Sequence, residues 1–161
     1  PFLDENELYN LCISRGTLTR EERDVINDHI VVTIDMLAKL PFPKNLRRVP
    51  EYAGGHHEKM DGTGYPRGLR RDQMSTPARM MAIADIFEAL TASDRPYKKA
   101  KPLSVAMKIM SRMKNDDHID PDLFRLFVET GVYRDYAEKF LPADQIDEVD
   151  HDALLGPQPA K

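Results

Sequence analysis

The chain has 161 residues, 23 lysines and arginines against 27 aspartates and glutamates, a formal charge of -4 and one cysteine. That length suits one domain able to bury roughly two-thirds of its unfolded surface. The charge balance, with no basic stripe of interleaved aromatics, argues against a nucleic-acid polymer as partner, and a lone Cys12 excludes an internal disulfide and a cysteine-only zinc cage.

No apolar run approaches the roughly 18 residues of a membrane span, and the opening "PFLDENELYN" is acidic where an export signal is basic. These features lead us to expect a cytoplasmic protein with no membrane segment. The sequence opens at Pro1 with no initiator methionine, so the native protein is expected to extend further upstream.

In chain order the signals are helical. "DENELYNLCISRG" has Leu8, Leu11 and Cys12 at helical spacing, with Gly16 as a left-handed stop. "TLTREERDVINDHIVVTIDMLAKLP" reads as one long helix, opened by Thr19 and Glu22 at capping-box spacing and closed by Pro41. On it Ile26, Ile30, Thr33, Leu37 and Leu40 share an inward face with His29. "PFPKNLRRVPEY" is a loop leading into a short helix, and the glycines between Gly55 and Asp72 forbid regular structure. Thr76 and Pro77 form an N-cap and N1 pair for "ARMMAIADIFEALTA", the most apolar helix.

Further helices are expected over Leu103–Met113, after Asp120 and Pro121 up to a stop at Gly131, and over "VYRDYAEKF". The helical domain then occupies residues 1–141, and residues 142–161 form a weakly structured tail. Nothing alternates with period two for long enough to make a sheet.

The chemistry concentrates in "GGHHEKMDGTGYPRGL", residues 54–69. His56 and His57 are adjacent in irregular backbone, where neighbouring side chains diverge; the alternative is a solvated loop with two histidines by chance. Asp85 interrupts an apolar helix between Ala82 and Ala89, so its carboxylate is expected to point inward. There it must be paired, protonated or bound to a metal, and a salt bridge to Arg79 competes with a functional role. His29, a lone histidine on an apolar face, is read either as a satisfied core residue or as a ligand. Together, three histidines and an aspartate without thiolate suit Fe, Mn, Zn or Ni ions, in a set of the kind that builds hydrolytic sites. In "TASDRPYKKA", Arg95 and Lys98 offer a guanidinium fork and a mobile point charge to an anion, with an ordinary solvated turn as the alternative.

"HHEKMDGTGYP" followed by "ARMMAIADIFEALTASDRPYKKA" closely resembles the HD-GYP proteins, over about Thr17 to Pro121. These are bacterial, all-helical metal-dependent phosphohydrolases of the HD group that hydrolyse cyclic di-GMP. The resemblance implies an all-α, HD-domain-like bundle of about five to seven helices. It implies His29, His56, His57 and Asp85 as metal ligands, with His56, His57 and Asp85 also counted as catalytic, on one or two divalent ions. Tyr65 would shape the pocket, and Arg95 and Lys98 would hold the phosphates of a cyclic dinucleotide. An upstream sensory or receiver domain and a homodimer are the partners it admits.

The sequence departs from the family in one serious respect. The family's His-Asp dyad, followed by a lysine, is absent, and "DENELYNLCISRG" offers no substitute. Either the domain is incomplete at its N-terminus, and upstream helices supply the dyad to a phosphodiesterase of bacterial signal transduction, or the chain is a catalytically inactive signalling module that binds nucleotide or a partner protein.

Overall fold

The computed structural model describes residues 2–13, 16, 18–92 and 101–156. Among them the regular structure is helical, apart from one isolated antiparallel bridge between Asp61 and Arg70. The helices are α1 (Glu5–Leu11), α2 (Arg20–Asn27), α3 (His29–Ala38), α4 (Val49–Gly54), α5 (Thr76–Thr91), α6 (Leu103–Asn115), α7 (Pro121–Glu129), α8 (Val132–Phe140) and α9 (His151–Leu155). The all-α class is as expected. The chain is divided into more segments than five to seven, because one helix is split and another was not foreseen.

The split falls in the long helix, at Asp28, with no glycine or proline to cause it. In a continuous helix the carbonyl of Ile26 would accept the N–H of Ile30. Here it accepts from Nδ1 of the His29 ring, so the backbone ladder is interrupted between α2 and α3. Thr19 still opens α2 with the expected capping box, its Oγ1 accepting from the Glu22 N–H at 3.1 Å while the Glu22 carboxylate takes the Thr19 N–H at 2.8 Å. The single inward face is not realised. Ile30 is buried and Thr33 and Leu37 are half-buried, whereas Ile26, Leu40 and the His29 side of the turn are exposed. These helices pack chiefly on each other and on α4, which is too little surface to cover the whole stripe. Gly16 is left-handed, with φ of 86°, but α1 ends earlier, at Leu11.

The main core lies downstream. Phe87 of α5, Met107 and Met110 of α6, Phe124 and Val128 of α7 and Tyr133 of α8 are buried against one another. The segment expected as a weakly structured tail takes part in it over residues 143–155. Val149 and Leu154 are buried, Asp150 caps α9 by accepting the Ala153 N–H at 3.0 Å, and the buried Ser111 hydroxyl donates to the Leu154 carbonyl at 2.7 Å. Ile146 and Leu155 pack against the same core, so the segment docks on several apolar contacts, reinforced by hydrogen bonds from Ser111 and Lys114 of α6 to the Leu154 carbonyl.

A second, smaller cluster of Met60, Met74 and Ala78 sits beneath the glycine-rich loop. Asp120 joins the two clusters. Its side chain is fully buried, it caps α7 by accepting the N–H groups of Asp122 and Leu123 at 2.9 and 3.1 Å, and it pairs with Arg71 at 2.9 Å and with Arg79 of α5. Burial pushes the Asp120 carboxyl upward, but the arginines and backbone donors more than offset it and hold the group below the usual aspartate value.

Because its native pKa lies below the unfolded one, Asp120 contributes stability that is present in full above the ordinary aspartate range, about pH 4, and is lost as pH falls through the depressed native value. Asp120→Asn is expected to cost about 2–4 kcal/mol at pH 7. The gap in melting temperature between variant and parent should close on acidification below pH ~4; a gap independent of pH would contradict the assignment.

Candidate metal centre

His29 is the first residue of α3, and His56 and His57 follow directly on α4, which packs on α3. This contact brings the three imidazoles together across a separation of 28 positions. His29 Nδ1 meets the carbonyl of Ile26, and His56 Nδ1 meets that of Ala53 at 2.7 Å. A carbonyl can only accept, so each Nδ1 is the donor and Nε2 is left as the nitrogen that would ligate. That is the arrangement by which protein backbone orients metal-ligating histidines.

One ligand atom from each of the three residues lies within 4.8 Å of the others, and His29 Nε2 and His57 Nε2 are 3.2 Å apart. Nitrogens bound at ~2.1 Å to one ion, at angles between octahedral and tetrahedral, are separated by roughly 3.0–3.4 Å. The described residues contain no other such group of three. The donor set therefore fits a divalent ion with imidazole preference. Burial first, and then the neighbouring His56, hold the His57 imidazole below its ordinary value, with Asp85 acting in the opposite sense. A neutral His57 suits a ligand.

Tyr65 stacks on His57 with ring centroids 4.8 Å apart and planes inclined by 20°, and its N–H donates to the His57 carbonyl at 3.3 Å. The phenol is pushed above its usual value by burial and by the charge of Asp85, so it remains a hydroxyl donor at neutral pH.

Asp85 differs from expectation. It is exposed, and the helical reasoning that put it inside fails because α5 buries different faces along its length. Ala78 and Ala82 are covered near its start and Phe87 and Thr91 near its end, while Asp85 continues the Ala78–Ala82 stripe beyond the covered part. The competing salt bridge is not formed either, since Arg79 turns to Asp120 and Thr76. Asp85 acts electrostatically on both His57 and Tyr65 but stands outside the group of three. Arg95 and Lys98 lie outside the described residues. His151 is half-buried and bonds through Nε2 to the buried Tyr133 hydroxyl at 2.7 Å.

Sequence reasoning missed Glu58. Its side chain is buried, with 1% of its surface exposed, and its carboxylate accepts from the backbone N–H groups of Arg67 and Leu69 at 2.8 and 2.9 Å. A glutamate beside two histidines carries no sign that its partners are main-chain groups nine and eleven residues away.

Comparison with known proteins places these features in a lineage. The profile of the HD domain family matches residues 6–123. The chain is 43% identical over 109 residues to 3'3'-cGAMP-specific phosphodiesterase 3 of Vibrio cholerae, covering 68% of this chain and 23% of that protein. It is 48% identical over 79 residues to cyclic di-GMP phosphodiesterase PA4108 of Pseudomonas aeruginosa, covering 48% and 18% respectively. With a cyclic di-GMP phosphodiesterase of Thermotoga maritima it shares 33% identity over 129 residues, covering 77% and 34%. The chain thus spans about a third or less of the length of these relatives.

His57→Ala should lower affinity for Mn or Zn by more than about 100-fold, since even an outer-shell loss costs 10–100-fold, with helix content retained. Elemental analysis and a metal titration of the purified chain would read this, and undiminished uptake would remove His57 from the site.

Proposed function

The chain belongs to the HD domain family, and we propose that it carries the metal and substrate loops of a phosphodiesterase that hydrolyses a cyclic dinucleotide, such as cyclic di-GMP, to linear dinucleotide or GMP. The observation that carries this reading is the convergence of His29, His56 and His57, with two of the imidazoles locked by backbone carbonyls in the tautomer that exposes Nε2. The activities for which the relatives are named supply the substrate class.

In this reading His29, His56 and His57 hold a divalent Fe, Mn, Zn or Ni ion, and Asp85 adds an oxygen from α5, its charge already acting on the His57 imidazole. A bound ion supplies Lewis acidity to a phosphoryl oxygen and a nucleophilic water at neutral pH. The protein's own part is to place the phosphodiester. The Tyr65 hydroxyl donates a hydrogen bond from above His57, while Arg95 and Lys98 take the non-bridging phosphate oxygens. Cyclic dinucleotides carry two phosphates, so a guanidinium fork and an ammonium on one segment match the charge to be neutralised.

A second reading, a nucleotide-binding signalling module without hydrolysis, holds if the native protein carries no His-Asp dyad of the family type. The intact native protein, loaded with Mn and given cyclic di-GMP, separates the two. Linear dinucleotide or GMP appearing with the parent and not with His57→Ala supports the enzyme, and saturable binding without product supports the module. Arg95→Ala is expected to weaken nucleotide binding about 10–100-fold, the worth of one charged hydrogen bond, with metal content unchanged. A loss of metal in that variant would reassign Arg95.

A further inference from the structure

Glu58 presents a problem that the ligand assignments leave open. A carboxylate buried to this degree is costly unless both oxygens are satisfied, and its two partners are the main-chain N–H groups of Arg67 and Leu69. The residue between them, Gly68, has φ of 63°, a conformation that turns flanking N–H groups towards one side and forms an anion-binding concavity. In many proteins such a concavity receives a phosphate. Here the chain fills it with its own side chain.

The geometry of the loop shows what this closure achieves. The chain leaves His57 and Glu58, runs out through Gly62 and Gly64, and returns through Tyr65 and Pro66 to Arg67. Gly64 lies close against the outgoing backbone, and a Cβ there would stand 2.4 Å from the Lys59 nitrogen and 2.5 Å from the Glu58 Cα. Tyr65, the next residue, is thereby placed with its N–H on the His57 carbonyl and its ring on the His57 ring. The return limb is anchored by Glu58 on one side and by the Asp61–Arg70 bridge on the other. The stack between Tyr65 and His57 thus lies between two fixed points, and Glu58 supplies the nearer one.

We propose that Glu58 is a positioning residue for His57: its carboxylate closes the 58–69 loop so that Tyr65 lies against the imidazole and fixes the ring plane that presents Nε2. The metal consequence rests on the reading of His57 as a ligand; the ring position does not. His57 needs such a device more than its neighbours do. His29 and His56 have their Nδ1 atoms tied to carbonyls three residues back, whereas the His57 ring is held by ring contacts: the Tyr65 stack, the tilted His56 ring at 4.1 Å and the His29 ring, whose Nε2 it approaches.

The test uses Glu58→Gln, nearly the same size, in which the amide NH2 must face one of the two N–H donors. Gly68→Ala, which disturbs the concavity from the opposite side, serves as a second variant, and Leu154→Ala in the main core controls for stability loss alone. The first readout is the His57 ring-proton shift by NMR in metal-free protein, assigned with His57→Ala and moved upfield by the stacked Tyr65 ring. We expect that shift to relax in Glu58→Gln and Gly68→Ala, as it does in Tyr65→Ala, and to stay in Leu154→Ala. The second readout is Zn affinity, expected to fall about 10–100-fold in Glu58→Gln and to be unchanged in Leu154→Ala.

A His57 shift unmoved in Glu58→Gln, or moved as far in Leu154→Ala, overturns the proposal, as does parental Zn affinity in Glu58→Gln. Should the parent take up no metal, the ligand reading fails by itself and the ring shift still decides the role of Glu58.

Discussion

A buried carboxylate must have its lone pairs occupied, and much of this fold follows from how Asp120 meets that requirement. It caps its own helix and draws in Arg71 from the end of the glycine-rich loop and Arg79 from the first turns of α5. The loop end and the start of α5 are thereby fixed to a point more than 40 positions further along the chain. Without it, the small cluster of Met60, Met74 and Ala78 would be left to hold the loop against a helix that also serves the main core. Three apolar side chains give only a few kcal/mol of burial, so an ionic junction carries much of the register between loop and bundle.

The division of labour along α5 follows from this. Its start meets the loop, its end meets α6 and α7, and its stripe of small residues, Ala78 and Ala82, lets the chain approach closely before Asp85 emerges. The helix is a strut between a rigid bundle and a site built largely of irregular backbone. Irregular backbone has no ladder to stabilise it, and at this site the missing bonds are replaced by side chains: His29 and His56 to carbonyls, Glu58 to N–H groups.

What could be read from the sequence follows the range over which each signal acts. Helices α5 to α8 were legible because their apolar periodicity and their caps are local. The three histidines were legible as a group through the family resemblance, since each taken alone left a core or solvated reading open. Asp85 was misplaced because a helix that changes partners along its length has no single inward side. The break at Asp28 was invisible because its cause is a ring nitrogen rather than a helix-breaking residue. Asp120 could be read as a cap but not as a hub, since Arg71 lies 49 positions away. Glu58 could not be read at all, because its partners are main-chain groups, which every residue but proline possesses.

The carbonyl contacts of His29 and His56 also set how much freedom each ring keeps. A ring whose Nδ1 is tied to a carbonyl three residues back cannot turn over without breaking that bond, so the main chain itself tells its two nitrogens apart. The contacts described for the His57 ring are with other rings, those of Tyr65, His56 and His29. Two of the three imidazoles thus inherit their orientation from the last turns of α2 and α4, and the third takes its own from its neighbours.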